Sequence, residues 1–234
     1  MSQPQTPLTE RYSQLQTRLR RAEQYSGRPS GSVQLLAVSK TIPAEIIRHA
    51  AQLGQQAFGE NYQQEALEKQ AHLSDLNLCW HFIGPLQSNK SRAIAEKFSW
   101  LQSLDRLKLA QRLSDQRPKN MAPLNVCLQV NISAEQSKSG VMPDELSRLA
   151  TAVTELPGLT LRGLMALPAP CNNVDQQHRV FSSVHELYQG LIDEGHQLDT
   201  LSMGMSGDLE AAVAEGATIV RIGSALFGAR DNKR

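Results

Sequence analysis

Apolar and polar residues follow two rhythms along this chain, and the rhythms take turns. Thr9 to Tyr25 has a helical period: Leu15 and Leu19 stand at i, i+4, Ala22 follows, and Arg and Gln fill the other faces. Gly27-Arg28-Pro29-Ser30-Gly31 breaks that pattern. Short apolar runs of strand length then alternate with helical segments. Val33–Ser39 is the first strand, with a helix opening at Pro43, a favourable first-turn residue. Ala57–Glu60, Trp80–Ile83 and Trp100–Ser103 are the next three, followed by helices over Tyr62–His72, Ser91–Phe98 and Arg106–Arg117.

Leu124–Val130 is the clearest strand, a near-continuous apolar run of the kind that buried parallel strands require. A helix over Pro143–Glu155 follows it, then a strand at Leu159–Met165 and a long helix over Val174–Glu194. Thr200–Ser202 is a weak seventh strand, with a helix over Leu209–Glu215, and Thr218–Ile222 is the eighth. Eight strands, nearly all followed by a helix, predict a single α/β domain over residues 1–234 with the (β/α)8 TIM-barrel architecture. An open doubly wound sheet is the alternative.

Composition narrows the function. The 234 residues are 40% hydrophobic and 20% charged, and a chain of this size removes about 70% of its surface from water on folding. A full core therefore forms without metals or disulfides. Twenty-four basic against 23 acidic residues leave a net charge of +1, and only 5% are aromatic. Neither the field nor the stacking surface that nucleic acid or an anionic membrane calls for is present. Cys79, Cys127 and Cys171 form no C-x-x-C pair, and the first residues lack the apolar core of a signal peptide. A cytoplasmic protein with reduced thiols is expected.

Common catalytic loops are missing. There is no G-x-x-x-x-G-K-[ST] and no G-x-G-x-x-G. Gly204-Met205-Ser206-Gly207-Asp208 has Asp where a nucleophile elbow needs Gly. His178 and His185, seven apart, are too far along one helix to share a metal, and no metal site is expected. What remains is Lys40, at the end of the first strand, on the rim where barrel enzymes build their sites. A desolvated lysine there favours the neutral amine that attacks carbonyls; a rim lysine in water is the other reading. The seventh strand runs into Ser202-Met203-Gly204-Met205-Ser206-Gly207, and the eighth ends in Arg221-Ile222-Gly223-Ser224. Those two loops are where barrels bind phosphate, with glycine amides, serine hydroxyls and an arginine as donors. A phosphate anchor opposite an aldehyde-seeking lysine describes a pyridoxal phosphate (PLP) site.

These residues carry a resemblance to a known family. Ala37–Thr41 (AVSKT), Phe58–Tyr62 (FGENY), His81–Lys90 (HFIGPLQSNK), Ser137–Gly140 (SKSG), Gly163–Ala166 (GLMA), Ser202–Ser206 (SMGMS) and Arg221–Ser224 (RIGS) resemble the YggS/PROSC family of pyridoxal phosphate homeostasis proteins. The likeness extends over about residues 8–231. It implies a barrel like the N-terminal domain of alanine racemase, without that enzyme's second domain. It also implies Lys40 as the Schiff-base lysine, Ser206, Gly223 and Ser224 on the phosphate, Arg221 at the pyridine nitrogen and Asn61 beside the ring. Lys138 is a candidate second amine, as is Lys233. The implied function is PLP homeostasis, with PLP as the cofactor and apo PLP-dependent enzymes as recipients, in a monomer with no catalytic residues. A weak PLP-dependent amino-acid racemase is the alternative. Racemisation needs a base on each face of the substrate carbon, and of Tyr12, Tyr25, Tyr62 and Tyr188 only Tyr62 falls near the expected barrel mouth.

Overall fold

The computed structural model describes residues 6–133 and 139–228; Lys138 and Lys233 lie outside them. Eight parallel strands close into a barrel in chain order: β1 (Gln34–Val38), β2 (Ala57–Glu60), β3 (Cys79–Phe82), β4 (Trp100–Leu104), β5 (Leu124–Val130), β6 (Leu159–Ala166), β7 (Thr200–Ser202) and β8 (Ile219–Ile222). Closure comes from β1 pairing with β8, Ala37 opposite Ile222, and it excludes the open sheet. The helices are α1 (Leu8–Tyr25), α2 (Ala44–Gln52), α3 (Gln63–His72), α4 (Ser91–Lys97), α5 (Leu107–Gln116), α6 (Leu146–Thr154), α7 (Val174–Asp193), α8 (Leu209–Ala214) and α9 (Ser224–Phe227). None of them is long and apolar enough to cross a membrane.

The expected strands and helices are all present, with ends that differ by a residue or two. Residues Pro143–Glu145 form a separate 3-10 turn ahead of α6 rather than its first turn. The four-residue α9 has no counterpart in the sequence reading; a single turn shows no periodicity.

Most apolar side chains fill the layer between barrel and helices. Phe58, Phe82, Phe98 and Phe181 are all but inaccessible there, packed with Ile47, Leu109, Leu113 and Val184. A much smaller cluster, Leu36, Ala57 and Ile219, forms separately. A Cβ built on Gly59 would meet Leu36 and Ile83, so Gly59 faces the lumen with them, while Phe58 and Glu60 face the helices. Helix α1 covers the seam beside α8 and α9; Arg11 donates to the carbonyls of Leu226 and Phe227, and Arg18 pairs with Glu210. The loop from α1 into β1 is tied to buried Glu23, which accepts from the amides of Gly31 and Val33.

Candidate functional site

The barrel register gathers the sequence-predicted residues. Ala37 lies opposite both Phe58 and Ile222, so Lys40 and Asn61 each stand three residues beyond matched positions, and Gly223 one beyond. Ser206 follows β7, and Arg221 is in β8 itself. Strands β7, β8, β1 and β2 are consecutive around the barrel. Lys40, Asn61, Ser206, Arg221, Gly223 and Ser224 therefore share one arc of its C-terminal mouth, the end at which barrels carry ligand-binding loops.

The loop after β7 is bonded to strand β8: the Arg221 amide donates to the Gly204 carbonyl at 3.0 Å, and that of Met203 to the Ile219 carbonyl at 3.1 Å. The Asp208 carboxylate accepts from the Met205 amide and shapes the first loop. Ser224 opens α9 directly after Gly223, so a single residue joins β8 to α9.

Arg221 is the electrostatic centre of the arc. It is 4% exposed, and its guanidinium donates to Ser202 Oγ and to the Ala166 carbonyl, both at 2.7 Å. No described carboxylate forms an ion pair with it. Burial pushes its pKa down to about 10, so it keeps its charge near neutrality. A buried cation served only by neutral acceptors is an expensive group, stabilised once an electron-rich partner arrives.

Beneath it runs a hydrogen-bonded chain that the sequence reading did not anticipate. Ser202 Oγ accepts a hydrogen bond from Arg221 and donates its own hydrogen to Gln102 Oε1 at 2.7 Å. Strands β7 and β4 are not neighbours, so that bond crosses the lumen. Gln102 Nε2 then donates to His81 Nδ1 at 3.0 Å, which leaves His81 Nε2 carrying the proton, 3.4 Å from Cys79 Sγ. His81 stacks on Trp100 with centroids 5.0 Å apart, and Arg162 lies over the other ring system at 5.0 Å. Inward-facing polar residues inside otherwise apolar strands were the available signal. This part of the lumen is polar because each of these groups has a partner inside it, while Leu36, Ala57 and Ile219 form a separate apolar cluster.

Burial pushes His81 down to about 3. The unfolded chain takes up a proton near 6.5 and the folded one only near 3, so His81 withdraws stability as pH falls between those values. Its imidazole resonances are expected to stay fixed between about pH 5 and 8, with Nδ1 unprotonated; a titration midpoint near the ordinary histidine value would overturn this assignment. Cys127 is pushed up to about 12 by burial and stays a thiol, so it is no nucleophile.

Asn61 Oδ1 is buried with no hydrogen-bond partner. An orphan acceptor and a buried cation bonded only to neutral oxygens lie on the same arc, an arrangement suited to a polar ligand. Those two features, with a lysine and two Gly/Ser loops, fit a phosphorylated aldehyde whose ring carries a nitrogen acceptor. Tyr62, just beyond Asn61, is 57% exposed, and Tyr25 projects from α1.

Residues 11–231 match the family described as alanine racemase, N-terminal domain. A protein of Pseudomonas aeruginosa named pyridoxal phosphate homeostasis protein is 59% identical over 224 residues, 96% of each chain. The protein of that name in Escherichia coli is 51% identical over 222 residues, 94% of this chain and 95% of its own. Among solved structures, PipY of Synechococcus elongatus with PLP bound aligns with a TM-score of 0.83 at 38% identity, covering 95% of this chain and all of PipY.

Proposed function

Because the chain belongs to the alanine racemase N-terminal domain family, and within it to the pyridoxal phosphate homeostasis proteins, we propose that it binds PLP at the barrel mouth and carries it without turning over a substrate. The observation that carries this reading is the arc itself. Lys40, Asn61, Ser206, Arg221, Gly223 and Ser224 come from four consecutive strands at one end of a closed barrel. PLP supplies an aldehyde that condenses with amines and a ring that withdraws electrons. Lys40 would hold it covalently through its side-chain amine. The Gly/Ser loops after β7 and β8 would hold its phosphate, and Asn61 Oδ1 would gain the partner it lacks.

Arg221 favours a carrier over a catalyst. A guanidinium, which carries only donors, would donate to the ring nitrogen and could not accept a hydrogen bond from its protonated form, so it would favour the unprotonated ring, a weaker electron sink. A racemase also needs a second base facing Lys40. Of the tyrosines, Tyr12 and Tyr188 pack against the core, and Tyr25 and Tyr62 stand in solvent. We read the protein as a monomer acting in the cytoplasm, passing PLP to apo-enzymes.

Delivery is tested by mixing the loaded protein with an apo PLP enzyme in the presence of a phosphatase that destroys free PLP. Recovered activity supports hand-over; none leaves storage alone. Solvent deuterium appearing at Cα of an added amino acid, dependent on Lys40, would replace the carrier reading with the racemase one.

A further inference from the structure

We propose that Glu60, Lys69 and Glu65 form a positioning clamp that holds the Lys40 turn in the shape that presents its amine to the barrel mouth. The inference rests on the reading of Lys40 as the point of PLP attachment.

Lys40 is one of the two central residues of a tight turn closed by the Ile42 amide donating to the Ser39 carbonyl at 2.9 Å. The other central residue, Thr41, has φ of 64°, and among the described residues no other non-glycine residue is left-handed. The third position of such a turn ordinarily takes glycine or asparagine. A β-branched residue persists there only when its surroundings over-determine it.

The surroundings do so from both sides of Lys40. On one side Lys69 Nζ donates to the Ser39 carbonyl at 2.7 Å, and Ser39 Oγ donates to Glu60 Oε1 at 2.6 Å. On the other, the Thr41 amide donates to Glu65 Oε1 at 2.5 Å. Lys69 joins the two halves, also donating hydrogen bonds to Glu60 at 2.8 Å and to Glu65 at 2.5 Å. Glu65 and Lys69 are four apart on α3 and share a face. Glu60 faces the helices, away from the lumen, so the cluster touches the turn from outside the barrel and not from the lumen side.

The cluster is costly, which argues for a task beyond filling space. Glu60 is fully buried with Oε2 unpartnered, and burial pushes its carboxyl up against the pull of Lys69 and Ser39. An apolar pair at these two positions would pack the same layer without charge. Glu60 is also the residue before Asn61, so one strand end sets both the turn and the orphan acceptor.

Glu65, whose side chain is 29% exposed, is the safe place to test this. Glu65→Ala is expected to speed hydrogen exchange of the Thr41 amide in the ligand-free protein by about tenfold or more. It is also expected to weaken PLP retention about tenfold, while the melting temperature moves by only a few degrees. Adding Thr41→Gly, which removes the strain the clamp resists, is expected to recover most of the lost retention. Lys69→Met should give larger changes in both readouts; if it fails to fold, the Glu65 and Thr41 pair still decides. Unchanged exchange and retention in Glu65→Ala, or a loss that Thr41→Gly does not relieve, would overturn the clamp. A wild-type protein that does not retain PLP on Lys40 would instead overturn the function reading, and the exchange measurement would still report on the clamp.

Discussion

Gly163→Ala is expected to lower folding stability by about 4 kcal/mol or more, the range reserved for severe steric faults. Gly163 pairs with Thr200 across β6 and β7 and has φ of 152°. A Cβ there would lie 1.7 Å from the Thr200 carbonyl oxygen, an atom of the backbone ladder that cannot turn aside. The two strands would have to part, and β7, with three residues, has little pairing to spare. For a domain of this size, 4 kcal/mol corresponds to a fall in Tm of roughly 8–16 °C. Gly190→Ala is the matching control. It lies within α7, and an added Cβ meets nothing within 4 Å, so stability should rise by about 0.5–1 kcal/mol. Thermal unfolding followed by circular dichroism checks both. Equal Tm values for Gly163→Ala and wild type would mean that the β6–β7 register is wrong.

Arg221→Met is expected to separate stability from binding. Arg221 is buried among neutral acceptors, so replacing it with an apolar side chain of similar length removes a buried charge that has no ion pair among the described residues. Ser202 keeps its bond to Gln102, while its hydroxyl oxygen and the Ala166 carbonyl each lose one donor. The ligand-free variant should match wild type to within about 1 kcal/mol, or exceed it. PLP affinity should fall at least about thirtyfold, because the one buried cation of the arc is gone. Equilibrium dialysis and denaturant unfolding measure the two quantities. A large loss of stability with unchanged affinity would make Arg221 a structural residue and remove it from the site.

How much of this could be read in the sequence follows from how each feature is encoded. Buried parallel strands write themselves as apolar runs, and Ala57–Glu60, Leu124–Val130 and Thr200–Ser202 carry the same limits in the structure. That the candidate residues would gather was legible because they lie at or just beyond strand ends, and in a barrel all strand ends of one sense meet at one mouth. The lumen network was not. Gln102 in Trp100–Leu104 and Ser202 in Thr200–Ser202 are single polar residues in short strands, and their contact across the barrel exists only after closure. Lys69 reads as one charge among several in Gln63–His72, yet it is buried, because a salt bridge to Glu60 depends on how α3 docks against β2. Lys138, the candidate second amine, lies outside the described residues.

The absorption spectrum of the purified protein with PLP, before and after borohydride, tests the central claim most directly when run beside Lys40→Ala. The account predicts a visible band in the wild type that borohydride bleaches, leaving PLP fixed by mass on the peptide that contains Lys40, and no such band in the variant. A wild-type protein without the band, or a variant that keeps it, would contradict Lys40 as the site of attachment.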